Sequence, residues 1–416
     1  MEENERIIEQ NEKEEEEEEE VLVQQQQEVW SWGAGTEGQL GTGKLQDEHN
    51  PQLLNSLSSF AGPIPFLSCG GAHVIALTPG GRVLTWGRGT SGQLGHGEMV
   101  NVLQPKPVES LEGFVITHVS AGWNHSGFVS DKGYLFTCGD GSFGQLGHGD
   151  CTSRFSPQKV SYFELRHVTQ IACGMRHSVV LVKDHLGQQV HGFGFGKRGQ
   201  LGISNERLQS VSLPQTSLGL NDVKIVSVYA NGDHSAALCA EGQLYTWGRG
   251  FGGASDVHIP QCVTTCLSFS TAALGWNHAL LLTGDGEAFM LGDYGHGVLS
   301  DPQMTISRKK ESDKDAVWRI PGLNGLKVRQ IAAGAEHSAV VTGKSSSRIL
   351  FENDGSVLTW GWGEHGQLGL GDTADQTGPH VVSFDKLIAP QHLVGQVYCG
   401  SGFTYAIRTP GTNSNV

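Results

Sequence analysis

A ten-residue phrase sets the terms on which this chain can fold. It first appears as WGAGTEGQLG from Trp32 and returns as WGRGTSGQLG from Trp86, CGDGSFGQLG from Cys138, FGFGKRGQLG from Phe193 and WGWGEHGQLG from Trp360. Two worn copies, WGRGFGG from Trp247 and LGDYGHGVL from Leu291, bring the set to seven. The starts are separated by 54, 52, 55, 54, 44 and 69 residues, a period close to fifty. Self-similarity at such a period means that one small unit is stacked many times, so the length of 416 residues gives no domain count by itself.

A second phrase keeps step with the first: a small residue, usually Gly, three places before a histidine. The copies end at His73, His125, His177, His234, His278 and His337, and the seventh puts Phe403 in the histidine's place. The stretch from Ile116 to Gly139 shows what a unit builds. Alternation of apolar residues is loose from Ile116 to Val119 and firmer from Gly127 to Val129, Asp131-Lys132-Gly133 is a turn signal, and a β-branched and aromatic run returns from Tyr134 to Cys138. The same hairpin recurs around Pro79-Gly80-Gly81 and Ala240-Glu241-Gly242.

Each unit is thus a small antiparallel sheet that cannot stand alone. Seven of them either stack as an open solenoid or close radially as a propeller, for which about four to eight blades is usual. The strand at 28–33 has no preceding partner, and the last copy, at 397–408, lacks a closing WG strand. Pairing these two removes both bare edges. The expectation is an all-β, seven-bladed β-propeller over residues 29–408 whose last blade is closed by the N-terminal strand.

Composition agrees with this. The 59 glycines beside only 14 prolines indicate a turn-rich β chain. The net charge of −15 belongs mostly to residues 1–28, where 13 glutamates against Arg6 and Lys13 give −11 and leave −4 for the rest. Strong direct binding of nucleic acid is therefore not expected. That acidic, Gln-rich tail, with Glu14 to Glu20 unbroken, cannot bury enough apolar surface to offset its ordering entropy and reads as disordered. It is either a solubilising leader or an acidic arm for a basic partner such as a histone. Residues 409–416 read as a flexible C-terminus. No signal peptide and no apolar run of membrane-spanning length is expected, which points to the nucleus or the cytoplasm. Cys69, Cys173 and Cys399 hold one repeat position and read as small buried hydrophobes. Cys262 and Cys266 adjoin no histidine pair and do not read as zinc ligands.

Several motifs resemble catalytic or cofactor sites without their context. GxGxxG recurs five times, each followed by QLG and by no helical period, whereas a dinucleotide site needs it once between a strand and a helix. Gly343-Lys344-Ser345 lacks the glycine that a phosphate loop requires five places earlier, where Ser338 stands. Six equivalent histidines argue for a structural role in hydrogen bonding to neighbouring backbone. Ser126, Ser178, Ser235 and Ser338 follow histidines but have no distinctive acidic partner, so no triad is expected. No catalytic residue, cofactor or metal is assigned.

The paired phrases, their spacing and the split last blade resemble the RCC1 (regulator of chromosome condensation) repeat family over roughly residues 29–408. The resemblance implies a seven-bladed propeller and leaves function divided. The founding member is a guanine nucleotide exchange factor for the nuclear GTPase Ran on chromatin, a plant member is a UV-B photoreceptor, and others are scaffolds. The photoreceptor's consecutive GWRHT repeats are matched here by GWNHS at Gly122 to Ser126 and GWNHA at Gly275 to Ala279, three blades apart, with asparagine in the arginine's place; Arg176 follows Met175 instead of tryptophan. The photoreceptor reading is disfavoured on those residues. The exchange-factor reading is weakened because no projecting hairpin interrupts the early blades; the extra residues fall late, near Ser307 to Asp315 and Gly343 to Asp354.

Equivalent positions that differ while the frame repeats are where a propeller can encode its choice of partner. The ring just before the repeat histidine reads Trp123, Asn124, Met175, Arg176, Asp233, Trp276, Asn277 and Glu336. Tryptophan, methionine and arginine are the types enriched at interface cores. The expectation is a non-catalytic interaction platform that binds a protein partner on this face, the alternative being exchange activity on a Ran-like small GTPase, with chromatin or a histone as a further candidate partner.

Overall fold

The computed structural model describes residues 27–58, 63–184, 187–204, 209–251, 254–292, 317–343, 355–384 and 392–410. The late polar run at 307–315 and nearly all of the 343–354 hairpin lie outside these residues, as does the tail before Gln27. Among the described residues, twenty-eight strands form seven four-stranded antiparallel sheets. We number them as blades in chain order: blade 1 spans 66–107, blade 2 spans 116–159, blade 3 spans 167–216, blade 4 spans 225–262, blade 5 spans 269–319 and blade 6 spans 328–381.

Blade 7 is composite, with strand order Glu48–Leu53, Glu28–Gly33, Phe403–Pro410, His392–Cys399. The N-terminal segment supplies two strands here, one more than the sequence indicated, and the last strand runs to Pro410. Val29 opposes Ile407 and Trp32 opposes Thr404 in an unbroken register. The Arg408 guanidinium donates to Glu28 Oε2 at 2.9 Å, and Trp30 Nε1 donates to the same oxygen at 2.9 Å. A closed ring thus begins and ends in one sheet.

The loose alternation near Ile116 has a physical cause. Ile116 pairs with Ser130 but His118 pairs with Val129, so Thr117 is an extra residue and its hydroxyl donates to Val129 O at 3.3 Å. This β-bulge recurs at the same point of the inner strand in blades 3 to 7 and breaks the two-residue period there.

The repeated phrase is the joint between blades. Within QLG the glutamine side chain folds back onto the amide two residues earlier, as from Ser91 to Gln93 Oε1 at 2.9 Å and from Phe143 to Gln145 Oε1 at 2.8 Å. The glutamine's carbonyl receives the next blade. Trp247 Nε1 donates to Gln200 O and Trp32 Nε1 to Gln367 O, both at 2.9 Å. The leucine is a buried plug, with Leu40 at 0% and Leu94 at 1% exposure. The final glycine has φ near +70° at Gly41, where an added Cβ would stand 2.8 Å from Trp86 Nε1. The recurrent GxGxxG therefore serves blade turns.

The second phrase completes the joint. His125 Nε2 lies 2.9 Å from Ser178 Oγ in the next blade, and that hydroxyl donates to Gln145 O at 2.8 Å. His73 and Ser126 (2.9 Å), His177 and Ser235 (2.8 Å), His278 and Ser338 (3.0 Å), and His337 and Thr404 (3.0 Å) repeat the contact. The partner is thus mainly a hydroxyl, a correction to the expected backbone acceptor. The serines that follow histidines are each the partner of the preceding blade's histidine. Blade 5 has Ala279 at that point, and His234 instead reaches Trp276 O. Because the hydroxyl proton goes to the glutamine carbonyl, Nε2 carries the imidazole proton and Nδ1 is bare. Gly122 is required because its Cβ would lie 2.6 Å from His125 Cε1.

Candidate partner-binding face

The two residues between the repeat glycine and the histidine form the loop at one end of each blade, where inner strands converge on the channel. Amides in these loops link blade to blade. Gly71 N donates to Gly122 O at 3.0 Å, Trp123 N to Gly174 O at 3.2 Å and Met175 N to Gly232 O at 2.9 Å. On the other side Trp276 N donates to Ala335 O at 2.8 Å, Ala335 N to Ser401 O and Ser401 N to Gly70 O, both at 3.0 Å. Between blades 4 and 5 a side chain takes over, Asn231 Nδ2 donating to Leu274 O at 2.6 Å. Asn231 stands where the other loops have glycine, and this bond gives its side chain a purpose.

The belt encloses a channel cavity of about 190 Å³. Trp123, Met175 and Trp276 line it, with Cys69, Cys173 and Cys399 deeper along the inner strands. Cys69 and Cys399 are only partly buried, and burial pushes the Cys173 thiol up to about 12. All eight cysteines are unbridged. Trp123 and Trp276 sit three blades apart around the ring, yet their rings meet at 5.4 Å and 45° across the channel mouth. Sequence position separated them, and the narrow channel brings them together.

The other five predicted residues point away from the channel and engage neighbours. Asn124 Oδ1 accepts from Arg88 Nη2 at 2.6 Å. Asp233 Oδ1 accepts from Gln200 Nε2 at 3.1 Å and pairs with Arg198 at 3.4 Å. Asn277 Nδ2 reaches Glu336 Oε1 at 3.5 Å. The Arg176 guanidinium lies 5.1 Å from the Phe143 ring and 5.9 Å from Phe195, and it alone of the eight is exposed. The remaining seven are half-buried, so the face is a pre-ordered surface more than a set of free side chains.

Sequence reasoning missed a second ring on the same face. Among the described residues, the residue after the WG glycine is Ala34, Arg88, Asp140, Phe195, Arg249 or Trp362. The backbone amide of each donates to the carbonyl just before a repeat histidine (Phe403 in blade 7), as from Arg88 N to Ala72 O at 2.8 Å. The signal was present, since these positions vary while the frame repeats. Phe143, Phe195, Trp362, Arg88 and Arg249 give the face an aromatic and cationic character. The Arg88 guanidinium also lies 5.8 Å from the Trp123 ring centroid, a contact of moderate cation–π value.

Burial lowers all six repeat histidines, to about 3 for His73, His177 and His337 and to about 4 for His125, His234 and His278. They are neutral structural groups. Among the described residues no three His, Cys, Asp or Glu side chains converge to hold a metal, and no helix is long and apolar enough to cross a membrane.

The RCC1-like domain family model matches residues 21–406. The chain is 31% identical to the ultraviolet-B receptor UVR8 of Arabidopsis thaliana, over 82% of this chain and 74% of that protein. It is 30% identical to the secretion-regulating guanine nucleotide exchange factor of Bos taurus, over 91% of this chain and 82% of that protein. In fold it is similar to Prp20p of Saccharomyces cerevisiae, with a TM-score of 0.77 at 24% identity, covering 94% of this chain and 93% of that one. With seven repeat blades, the composite closure and these matches, the chain belongs to the RCC1-like domain family.

Proposed function

We propose that this propeller is a non-catalytic protein-interaction platform whose channel-mouth face receives a protein partner. The observation that carries the reading is the concentration of Trp123, Trp276, Phe143, Phe195, Arg88 and Arg176 on one face whose backbone is fixed by the inter-blade belt. Rigid aromatic anchors lose little entropy on binding, and arginines already held against rings or side chains lose less than free ones, which is how a small area yields useful affinity. The test is affinity capture of partners with Trp123→Ala and Arg176→Ala. Capture falls at least tenfold while the melting temperature stays within a few degrees; equal loss of capture and stability refutes the reading.

A second reading, exchange activity on a Ran-like small GTPase, is favoured by the near full-length match to secretion-regulating guanine nucleotide exchange factors. Prp20p, similar in fold, is described with its binding to Gsp1p and histones. Exchange would need this face to displace nucleotide by binding energy; among the described residues no three His, Cys, Asp or Glu side chains converge to hold a metal. Release of a labelled guanine nucleotide from Ran and related GTPases separates the two readings. Location in the nucleus or cytoplasm, and a histone as partner of the acidic tail, belong to the same proposal.

A further inference from the structure

The glutamines of the repeated phrase place their side-chain amides at this face, and two of them find a carboxylate. Gln145 Nε2 donates to Asp140 Oδ2 at 3.1 Å, and Gln200 Nε2 donates to Asp233 Oδ1 at 3.1 Å. Asp140 is the residue after the WG glycine of the same blade, and Asp233 is the residue before the histidine of the next blade. In blade 1 those two positions hold Arg88 and Asn124. The Asn124 oxygen is already taken by Arg88 Nη2, which also reaches Trp123 O at 3.2 Å.

Gln93 is fully buried, and its Nε2 has no hydrogen-bond partner among the described residues; the same holds for the buried Nε of Arg88. Glu37 acts on the Arg88 guanidinium electrostatically, but Asn101 engages its carboxylate at 2.6 Å. Two unpaired donors at one joint, one of them cationic, favour an anionic acceptor, because a charge-assisted bond recovers desolvation cost. We propose a notch in the joint between blades 1 and 2, beside Arg88, Gln93, Asn124 and Trp123, that takes a carboxylate from an aspartate or glutamate side chain of the protein partner. The sister joints set the size of the acceptor: one carboxylate fills each. The inference rests on the platform reading and names the chemistry of its partner at one point.

The test follows the Arg88 Nε–H and Gln93 Nε2–H resonances of the full chain during titration with sodium acetate, with sodium chloride as the ionic-strength control. Saturable shifts with acetate alone are expected. Arg88→Gln weakens the response at least tenfold, and Asn124→Asp abolishes it while raising the melting temperature, because it installs the carboxylate that Asp233 supplies in the sister joint. No saturable shift overturns the proposal, as does an equal response to chloride, which would mean an adventitious ion only. Acetate binding that survives Asn124→Asp in a folded protein overturns it too. A full chain with Glu14 to Glu20 changed to glutamine binds acetate unchanged; tighter binding would mean that the chain's own tail is the occupant and would overturn the assignment to a partner. The two proposals fail separately. Acetate binding without loss of capture in Trp123→Ala and Arg176→Ala sinks the platform reading and leaves the notch supported, and the converse result sinks the notch.

Discussion

Acidification is the perturbation to which this architecture is most exposed. Five of the six repeat histidines donate from Nε2 to the next blade and keep Nδ1 buried with no partner among the described residues. A second proton on Nδ1 would place a charge against the packed repeat loop, which is why burial holds the six values at about 3 or about 4. In the unfolded chain each returns to an ordinary value near 6.5. Below that value the unfolded chain binds more protons than the folded one. Stability is therefore complete above about pH 6.5 and falls as pH drops, until the folded-state values are passed.

Between about pH 7.5 and about pH 5.5 each histidine costs about 1.4 kcal/mol, so six cost roughly 8 kcal/mol. That is comparable with the whole stability of a typical domain, about 5–15 kcal/mol. Urea midpoints at 25 °C across this pH range are the assay, and a steep fall well above the carboxylate range is expected. His125→Phe, which copies Phe403 of blade 7, should lower stability yet flatten the pH dependence by about a sixth. A midpoint that moves by less than the equivalent of about 2 kcal/mol between these pH values would refute the account of the histidine joints.

Three further perturbations address the frame. Ser178→Ala leaves His125 Nε2 and Gln145 O without their shared partner and should cost about 1–3 kcal/mol by urea denaturation; an unchanged midpoint removes the hydroxyl from the joint. Gly122→Ala drives a Cβ to 2.6 Å from His125 Cε1 and 2.7 Å from Gly174 O and should cost about 1–3 kcal/mol, whereas Gly80→Ala, with nothing within 4 Å, should be neutral within about 1 kcal/mol in the same calorimetric scan. Glu28→Ala removes the buried acceptor that Arg408, only 5% exposed, shares with Trp30 Nε1, and should cost about 3–5 kcal/mol; a smaller loss than at an exposed pair such as Glu287 with Arg319 would show that the closing blade does not depend on that bridge.

Much of the fold was legible because a repeat carries its own alignment. The number of blades, the hairpin at Asp131-Lys132-Gly133 and the closure by residues 28–33 follow from copies compared with one another. The second N-terminal strand, Glu48–Leu53, was not legible: its sequence, EHNPQL, has neither alternation nor β-branched residues, since an outermost strand buries little. The His–Ser joints were missed for a different reason. His125 and Ser178 are 53 residues apart, one more than the spacing of their own repeat copies, so each histidine's partner belongs to the following copy and no single copy contains the pair. A repeat compared only with itself position by position hides contacts of that kind. The eight residues before the histidines were found by their variation, but their split into a channel set and an outward set depends on side-chain direction, and the Trp123–Trp276 contact depends on how narrow the channel is.

The same comparison across copies explains where specificity can reside. A joint needs a glutamine carbonyl, a hydroxyl and an imidazole, and these are held nearly constant around the ring. The residues beside them, at Arg88, Asp140, Phe195, Arg249 and Trp362 and at the loop positions, hold the frame through backbone amides and carbonyls, while their side-chain bonds, such as Arg88 to Asn124 and Gln200 to Asp233, differ from joint to joint. A change of side chain there leaves the backbone bonds intact, so the face can vary without loss of the ring. Where such variation removes an internal partner, as Arg88 and Asn124 do for Gln93, the frame is left with unpaired donors that a bound molecule can satisfy. Departures from the repeat, more than the repeat itself, therefore mark the points at which the proposed partner would be held.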